Sequence, residues 1–233
     1  MLSVIIPVLN EAGSIESTLE NLQAWRSWLE IIVVDGGSND KTVALATPLA
    51  DSVVCSSPGR AHQMNVGAKE ATCEYLLFLH ADTRLPISMP TVVNSWRQKG
   101  FLWGFFPVQL SGAHVLLRGV ELGMNIRSRF TQVATGDQCL FMSRELFSEA
   151  GGFPNLPLME DVAMCKILRA MSSPKVETQK VLTSSRRWES NGIVKTIVLM
   201  WRLRFAYFMG QDPHRLAEHY YPGYKRVRVS SHD

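Results

Sequence analysis

Apolar residues follow two rhythms in the first hundred positions. SVIIPV (Ser3–Val8), IIVVD (Ile31–Asp35) and YLLFLH (Tyr75–His80) are nearly unbroken apolar runs, the pattern of parallel strands buried on both faces. Between the first two, Ile15, Leu19, Leu22, Trp25 and Leu29 recur every three or four residues, which predicts a helix. The turn Gly36-Gly37-Ser38-Asn39-Asp40 leads into a short helix from Lys41, with Asp40 placed to cap its free N–H groups. A short strand at Asp51–Cys55 runs through Ser57-Pro58-Gly59 into a helix over Arg60–Ala71. Strands alternating with helices predict a right-handed parallel sheet.

Beyond a helix at Met89–Gln98 the pattern changes. FLWGFFPVQL (Phe101–Leu110) predicts one long aromatic strand, followed by a helix near Val115–Phe130, a strand at Gln138–Met142 and a helix over Arg144–Ala150. Gly151-Gly152 opens an irregular loop, expected to wall a site, that ends at Glu160. A helix then runs from Glu160 to about Met171, and a strand is expected near Lys175–Leu182. The polar stretch SSRRWESNG and a basic helix with a tail complete the chain. With no linker and no solenoid period, the reading is one α/β domain over residues 1–233, its two halves meeting near residue 100.

Composition narrows the class. The chain has 233 residues, 46% hydrophobic and 19% charged, enough for a packed core and unlike a disordered segment. Its net charge of +3 is uneven: residues 1–100 carry seven Lys/Arg against ten Asp/Glu, residues 181–233 nine against four. The basic residues form no dense run, so no nucleic-acid partner is expected. Cys55, Cys73, Cys139 and Cys165 lie far apart with no CxxC pair, which predicts reduced thiols. MLSVIIPVLNE lacks a basic n-region and is broken by Pro7 and Asn10. It reads as a first strand and not a signal peptide, so a cytoplasmic location is expected. Ile193–Met209 is apolar but contains Lys195, Arg202 and Arg204, a poor membrane-spanning helix. Two readings stay open for it: a helix docked on the core, or one lying in a membrane interface as a peripheral contact on the inner face.

The chemistry sits where the strands end. Asp35 closes the second run and Asp82 follows the fourth, and in parallel sheets ligands bind at those ends. Glu160-Asp161 supplies a further acidic pair at a helix start. Dehydrogenase and P-loop chemistry are disfavoured, because the first strand is followed by VLNEAGS and no GxxxxGK[ST] occurs.

Pro7-x-x-Asn10-Glu11, the DGGSNDKT turn, Arg60-Ala-His-Gln-Met-Asn65-x-Gly67, HAD at 80–82 and Glu160-Asp161 occur in an order that resembles the family-2 glycosyltransferases, closest to a small soluble bacterial branch. The resemblance extends over roughly residues 3–165. It implies a glycosyltransferase A type fold, an α/β sandwich with a mostly parallel central sheet flanked by helices. It also implies an inverting transfer of a single sugar from a nucleoside-diphosphate sugar to an acceptor hydroxyl. Residues 1–100 then form the nucleotide-binding half, 101–190 the acceptor-binding half, and 191–233 basic C-terminal helices and a tail. Pro7, Asn10 and Glu11 match the positions lining the nucleotide, and Asp35 matches the carboxylate set against the base. Arg60, at a helix start after a Pro-Gly turn, is placed to meet diphosphate.

Asp82 matches the last acidic residue of the family's DxD signature, which holds Mg²⁺ or Mn²⁺. Here the motif is H-x-D, and His80 either ligates metal, contacts ribose or ends a buried strand. Asp161 matches the catalytic base, with Glu160 orienting the loop or acceptor; both also suit a helix N-terminus. Asp137, in Gly136-Asp137-Gln138, is placed either by turn chemistry or near donor sugar or acceptor. Arg186-Arg187-Trp188 is similar to the Q-x-x-R-W element of processive synthases, but Ser184 replaces the glutamine. Processive synthesis is therefore not expected, while Arg187 can still close on the diphosphate. A sugar-nucleotide nucleotidyltransferase and a non-catalytic nucleotide-binding protein are the alternatives.

Overall fold

The computed structural model describes residues 1–221. β1 (Leu2–Val8) lies between β2 (Leu29–Asp35) and β4 (Tyr75–Phe78), parallel to both, and β3 (Ser52–Cys55) adds a parallel edge beyond β2. Successive residues explain the unbroken apolar runs. Ile5, Ile32 and Val34 enter the core on one face of the sheet, whereas Val4, Ile6, Ile31 and Val33 enter the core on the other. α1 (Ile15–Gln23) covers the second face through Ile15, Leu19 and Leu22. α3 (Arg60–Glu70) covers the first face through Ala61, Met64 and Ala68, and α2 (Thr42–Ala46) links β2 to β3.

The seven-stranded sheet has the order β3-β2-β1-β4-β8-β6-β9. β8 (Phe141–Ser143) is antiparallel to β4 and to β6 (Trp103–Phe105), while β9 (Lys175–Val176) is parallel to β6. A second sheet, β5-β10-β7, contains β5 (Thr83–Arg84), β10 (Val181–Thr183) and β7 (Val108–Leu110). The mostly parallel main sheet with helices on both faces is the α/β architecture expected from the alternation.

Two expected strands are each broken in two. Phe101–Leu110 divides into β6 and β7 around Phe106-Pro107, and Lys175–Leu182 divides into β9 and β10. Pro107 has no N–H to extend a ladder, and Phe106 N–H leaves the sheet to donate to Gln138 O at 2.8 Å. The breaks are matched: β6 pairs with β9 in one sheet, and β7 with β10 in the other. Buried Glu177, between β9 and β10, accepts from Trp96 Nε1 at 2.7 Å. Gln138–Met142 is likewise not one strand. Gly136–Gln138 is a short 3-10 turn in which Gln138 N donates to Thr135 O at 2.8 Å and Thr135 N to Gln138 Oε1 at 3.3 Å, and β8 begins only at Phe141. His80 lies two residues past the end of β4, in a turn before β5.

α4 (Met89–Lys99), α5 (Val115–Thr131), α6 (Arg144–Glu149) and α7 (Glu160–Met171) lie close to their predicted spans. The polar stretch after β10 is helical, as α8 (Arg186–Asn191), and α9 (Ile193–Phe208) and α10 (Pro213–Tyr220) follow. α9 docks on the core: Leu203 is buried, with Leu199, Ala206 and Tyr207 packed beside it. Its opposite face is exposed. Among the described residues no helix is long and apolar enough to cross a membrane. Of the predicted C-terminal helices and tail over 191–233, residues 222–233 lie outside the described residues.

Candidate active site

The sheet order β2-β1-β4 sets three loop starts side by side at one edge. Val8 is in register with Asp35, and Leu79 N–H donates to Ile5 O at 2.9 Å. Asp35 is buried, and its Oδ2 accepts from Gly37 N and Ser38 N, each at 3.0 Å. This is the local bonding of an Asx turn. Asp35 Oδ1 is also buried and accepts no hydrogen bond among the described residues. A buried carboxylate oxygen without a donor is costly unless a ligand supplies one.

The neighbouring loop is fastened to this turn. Asn10 Oδ1 accepts from Asn39 N, and Asn10 N donates to Ser38 Oγ, both at 2.8 Å. Asp40 accepts from Thr42 N at 2.9 Å and Ala12 N at 3.1 Å, so it caps and also ties two loops together. The room beside Asp35 is filled in part. Gln63 reaches under Gly36 and donates to Val8 O and Val34 O, both at 2.8 Å, pinning β1 to β2. Glu11 faces Arg186 on α8 at 3.5 Å.

Pro7, Arg60, His80, Gly136, Glu160 and Asp161 line one cleft together with apolar neighbours. Arg60 is the first residue of α3 and stands 4.0 Å from Glu160 Oε1. His80 Nδ1 donates to Asp137 Oδ1 at 3.1 Å. His80 Nε2 abuts Gly136, where an added Cβ would lie 2.3 Å from it, so only glycine fits under this ring. Asp161, at the start of α7, accepts from Gly136 N and from Val162 N, each at 2.7 Å. The residue before the pair, Met159, has φ 68, a left-handed backbone that turns the loop into the helix.

Electrostatics separate the carboxylates. Burial pushes the Glu160 carboxyl up to about 7, Asp161 adds to this, and Arg60 opposes it. For Asp137 burial acts upward too, but the hydrogen bond and charge of His80, then Arg60 and Arg187, hold it below the usual carboxylate value. Arg60 thus acts on two carboxyls whose shifts are opposite in sign.

Asp35 and Asp82 flank the cleft instead of lining it. Asp82 is half-buried, and its carboxylate makes no hydrogen bond or ion pair among the described residues. Its backbone O accepts from Ser184 N at 3.2 Å, tying the turn to the start of α8. Arg187 on α8 stacks over the Tyr220 ring at 3.9 Å from its centroid. Among the described residues no group of three or more His, Cys, Asp or Glu side chains is arranged around a common ion position.

Sequence reading missed the residues that the C-terminal half delivers. Arg127 on α5 donates to Val133 O at 3.2 Å. Burial, then Arg204 on α9, pushes its guanidinium down to about 10, while Asp161 acts the other way. The Tyr220 hydroxyl is pushed up to about 12 by burial, and Tyr221 is raised by burial with Arg60 opposing. An arginine inside an apolar helix was the one signal available for Arg204. Nothing local marked Tyr220 or Tyr221.

The Glycosyl transferase family 2 model matches residues 3–114. An uncharacterized glycosyltransferase of Mycobacterium tuberculosis is 29% identical over 162 residues, covering 65% of this chain and 62% of that protein. A poly-beta-1,6-N-acetyl-D-glucosamine synthase of Staphylococcus aureus is 30% identical over 89 residues, covering 35% of this chain and 22% of its own length. The chain thus spans less than two thirds of the curated relatives it matches. Among solved structures, Staphylococcus aureus TarS 1-349 in complex with UDP-GlcNAc superposes with a TM-score of 0.67 at 18% identity, over 78% of this chain and 58% of that one. A mannosyltransferase from Pyrobaculum calidifontis in complex with GDP-Man and Mn²⁺ gives 0.62 at 22% identity, over 94% and 64%. The fold is that of the glycosyltransferase A enzymes. Over residues 3–114, just under half of its length, the chain is similar to the family-2 glycosyltransferases, and it carries its ordered motifs on their fold.

Proposed function

We propose that this chain transfers a single sugar, with inversion, from a nucleoside-diphosphate sugar to an acceptor hydroxyl, with Asp161 as general base. The observation carrying this reading is the meeting of Arg60, His80, Glu160 and Asp161 in one cleft beside the ends of β1, β2 and β4. The structural neighbours crystallised with UDP-GlcNAc and with GDP-Man support a nucleotide-sugar donor.

Asp35 holds the nucleoside, its unpartnered Oδ1 accepting from a ring N–H of the base. Pro7, Asn10 and Glu11 border that position on the β1 side. Asp161 takes the acceptor hydroxyl's proton as the oxygen bonds to the anomeric carbon. The bond from that carbon to the diphosphate breaks on the opposite side, and the diphosphate leaves with the electron pair. Arg60 and Arg187 offset its charge, while Asp137 fixes His80 and Glu160 positions the acceptor.

A divalent ion fits one position. The Asp82 carboxylate is an unengaged hard ligand of the kind Mg²⁺ or Mn²⁺ takes, and such ions are commonly held by one or two carboxylates plus phosphate oxygens. When bound, the ion supplies charge stabilisation for the departing diphosphate. His80 is committed through Nδ1 to Asp137, so Asp82 is the assigned ligand and His80 is held as a neighbour of the diphosphate.

Calorimetric titration with UDP and GDP, with and without Mn²⁺, tests the reading. Binding of one nucleoside diphosphate, strengthened by Mn²⁺ and weakened in Asp35→Ala, is expected. If neither nucleotide binds, the transferase reading fails; if Mn²⁺ has no effect, the role of Asp82 fails alone.

A further inference from the structure

α5 and α9 lie side by side, joined by a small core of Leu117 and Val120 against Ile193 and Ile197. Each helix turns a second apolar stripe away from the protein. On α9 the stripe is Val194, Val198, Trp201, Phe205 and Phe208, a spacing of three or four residues that sets them on one line. Trp201, Phe205 and Phe208 are 75%, 67% and 77% exposed. On α5, Val115, Leu122, Ile126 and Phe130 repeat the pattern, and Phe130 is 83% exposed. Two neighbouring helices thus each leave a row of large apolar side chains in water, which isolated surface residues do not do.

The charge beside these stripes is mainly basic, with the exposed Glu189 of α8 only at the Leu116–Val194 end. Lys195 and Arg202 flank the α9 stripe, Arg129 flanks that of α5, and all three are exposed. α9 contains no acidic residue. The single acidic residue of α5, Glu121, is buried and paired with Arg118 at 2.7 Å. Aromatic and aliphatic side chains bordered by uncompensated Lys and Arg match the boundary of an anionic bilayer, where apolar groups enter the acyl edge and cations meet headgroup phosphate.

We infer that the paired outer faces of α5 and α9 form a docking surface for an anionic lipid bilayer, on which the protein lies flat without spanning. The occupant is chosen by charge. A neutral apolar partner or the apolar face of a second copy has no use for the three cations, and a second copy would bring like charges together. The inner faces of the same helices carry Arg127 and Arg204, both within the electrostatic surroundings of Asp161. A bilayer at this surface would therefore lie against the helices that back the cleft.

Co-sedimentation of the full chain with phosphatidylcholine vesicles, with and without phosphatidylglycerol, tests this, alongside Phe205→Glu and Phe130→Glu variants. Binding to the anionic vesicles only, reduced by salt, is expected. Each variant should weaken it by about tenfold or more, since removing one large apolar side chain from the interface costs at least 1.4 kcal/mol or so. Melting temperatures of the variants, compared with the parent, show that folding is retained. The inference is overturned if the full chain ignores anionic vesicles or if both variants bind as the parent does. It is also overturned if neutralising Lys225, Arg226 and Arg228 alone abolishes binding, or if the two variants instead abolish a self-associated dimer. Vesicle binding needs neither donor nor acceptor, so its failure leaves the transfer reaction standing, and failure of nucleotide binding leaves this surface standing.

Discussion

Asp161 and Glu160 are adjacent in the chain yet held in different ways. Asp161 is gripped by two N–H donors, whereas Glu160 is buried, 4.0 Å from Arg60 and bonded to its own backbone N–H. Removing the base from a displacement of this kind costs about 10²–10⁴-fold in rate. Asp161→Asn should therefore lose transfer by that factor while calorimetry still finds nucleotide binding. Glu160 makes a separate prediction through stability. Its folded pKa is raised to about 7 from 4.5, so its favourable contribution is complete below about 4.5 and disappears as pH rises through 7. Glu160→Gln removes that loss. The variant's melting temperature relative to the parent should climb between pH 4.5 and 7 and then level off, corresponding to on the order of 1–3 kcal/mol. A difference independent of pH would contradict the burial assigned to this carboxyl. Both acidic residues were legible in the sequence because they open a helix; which of them is buried was not.

At the scale of elements, the sheet's weakest legibility lay in the second half. Continuous apolar runs identified β1, β2 and β4, since both faces of those strands are covered. Phe101–Leu110 is as apolar as those runs and Lys175–Leu182 is mixed, yet each serves two sheets, and a hydrophobic pattern does not state which partner a strand chooses. The parallel pairing of β6 with β9 depends on a missing side chain. A Cβ on Gly104 would stand 2.0 Å from Lys175 O and 2.5 Å from Phe141 Cζ. Gly104→Ala should destabilise the protein by about 1–3 kcal/mol, read as a lower melting temperature. Gly119, inside α5, is the contrast, for its added Cβ meets nothing within 4 Å. Gly119→Ala should stabilise by about 0.5–1 kcal/mol, because alanine loses less backbone freedom in a helix.

For the molecule as a whole, the C-terminal helices are part of the site. α9 and α10 return to the main core through Leu203, Leu216 and Ala217, bringing Arg204, Tyr220 and Tyr221 toward Asp161, Arg60 and Arg187. Their attachment is narrower than that of the sheet, since α9 buries only Thr196 and Leu203. Leu203→Ala leaves a void and should cost about 2–5 kcal/mol locally. Amide exchange in α9 and α10 should then quicken while β1 and β4 keep their protection. Equal acceleration everywhere would mean that these helices unfold only with the sheet.

Read alone, the amino-acid order fixes the parallel βα half, the placement of Asp35, Asp82 and Asp161 at element ends, and the resemblance to family-2 glycosyltransferases, because these rest on local periodicity and on motifs in order. Tertiary structure alone decided that Asp137 meets His80, that Glu160 faces Arg60, that Gln63 occupies the space under Gly36, and that Arg127, Arg204 and Tyr220 reach the site. Each of those pairs is separated by dozens of residues or depends on which face of a helix turns inward. Local patterning carries no record of such pairings; they follow from how the two sheets and the last helices pack.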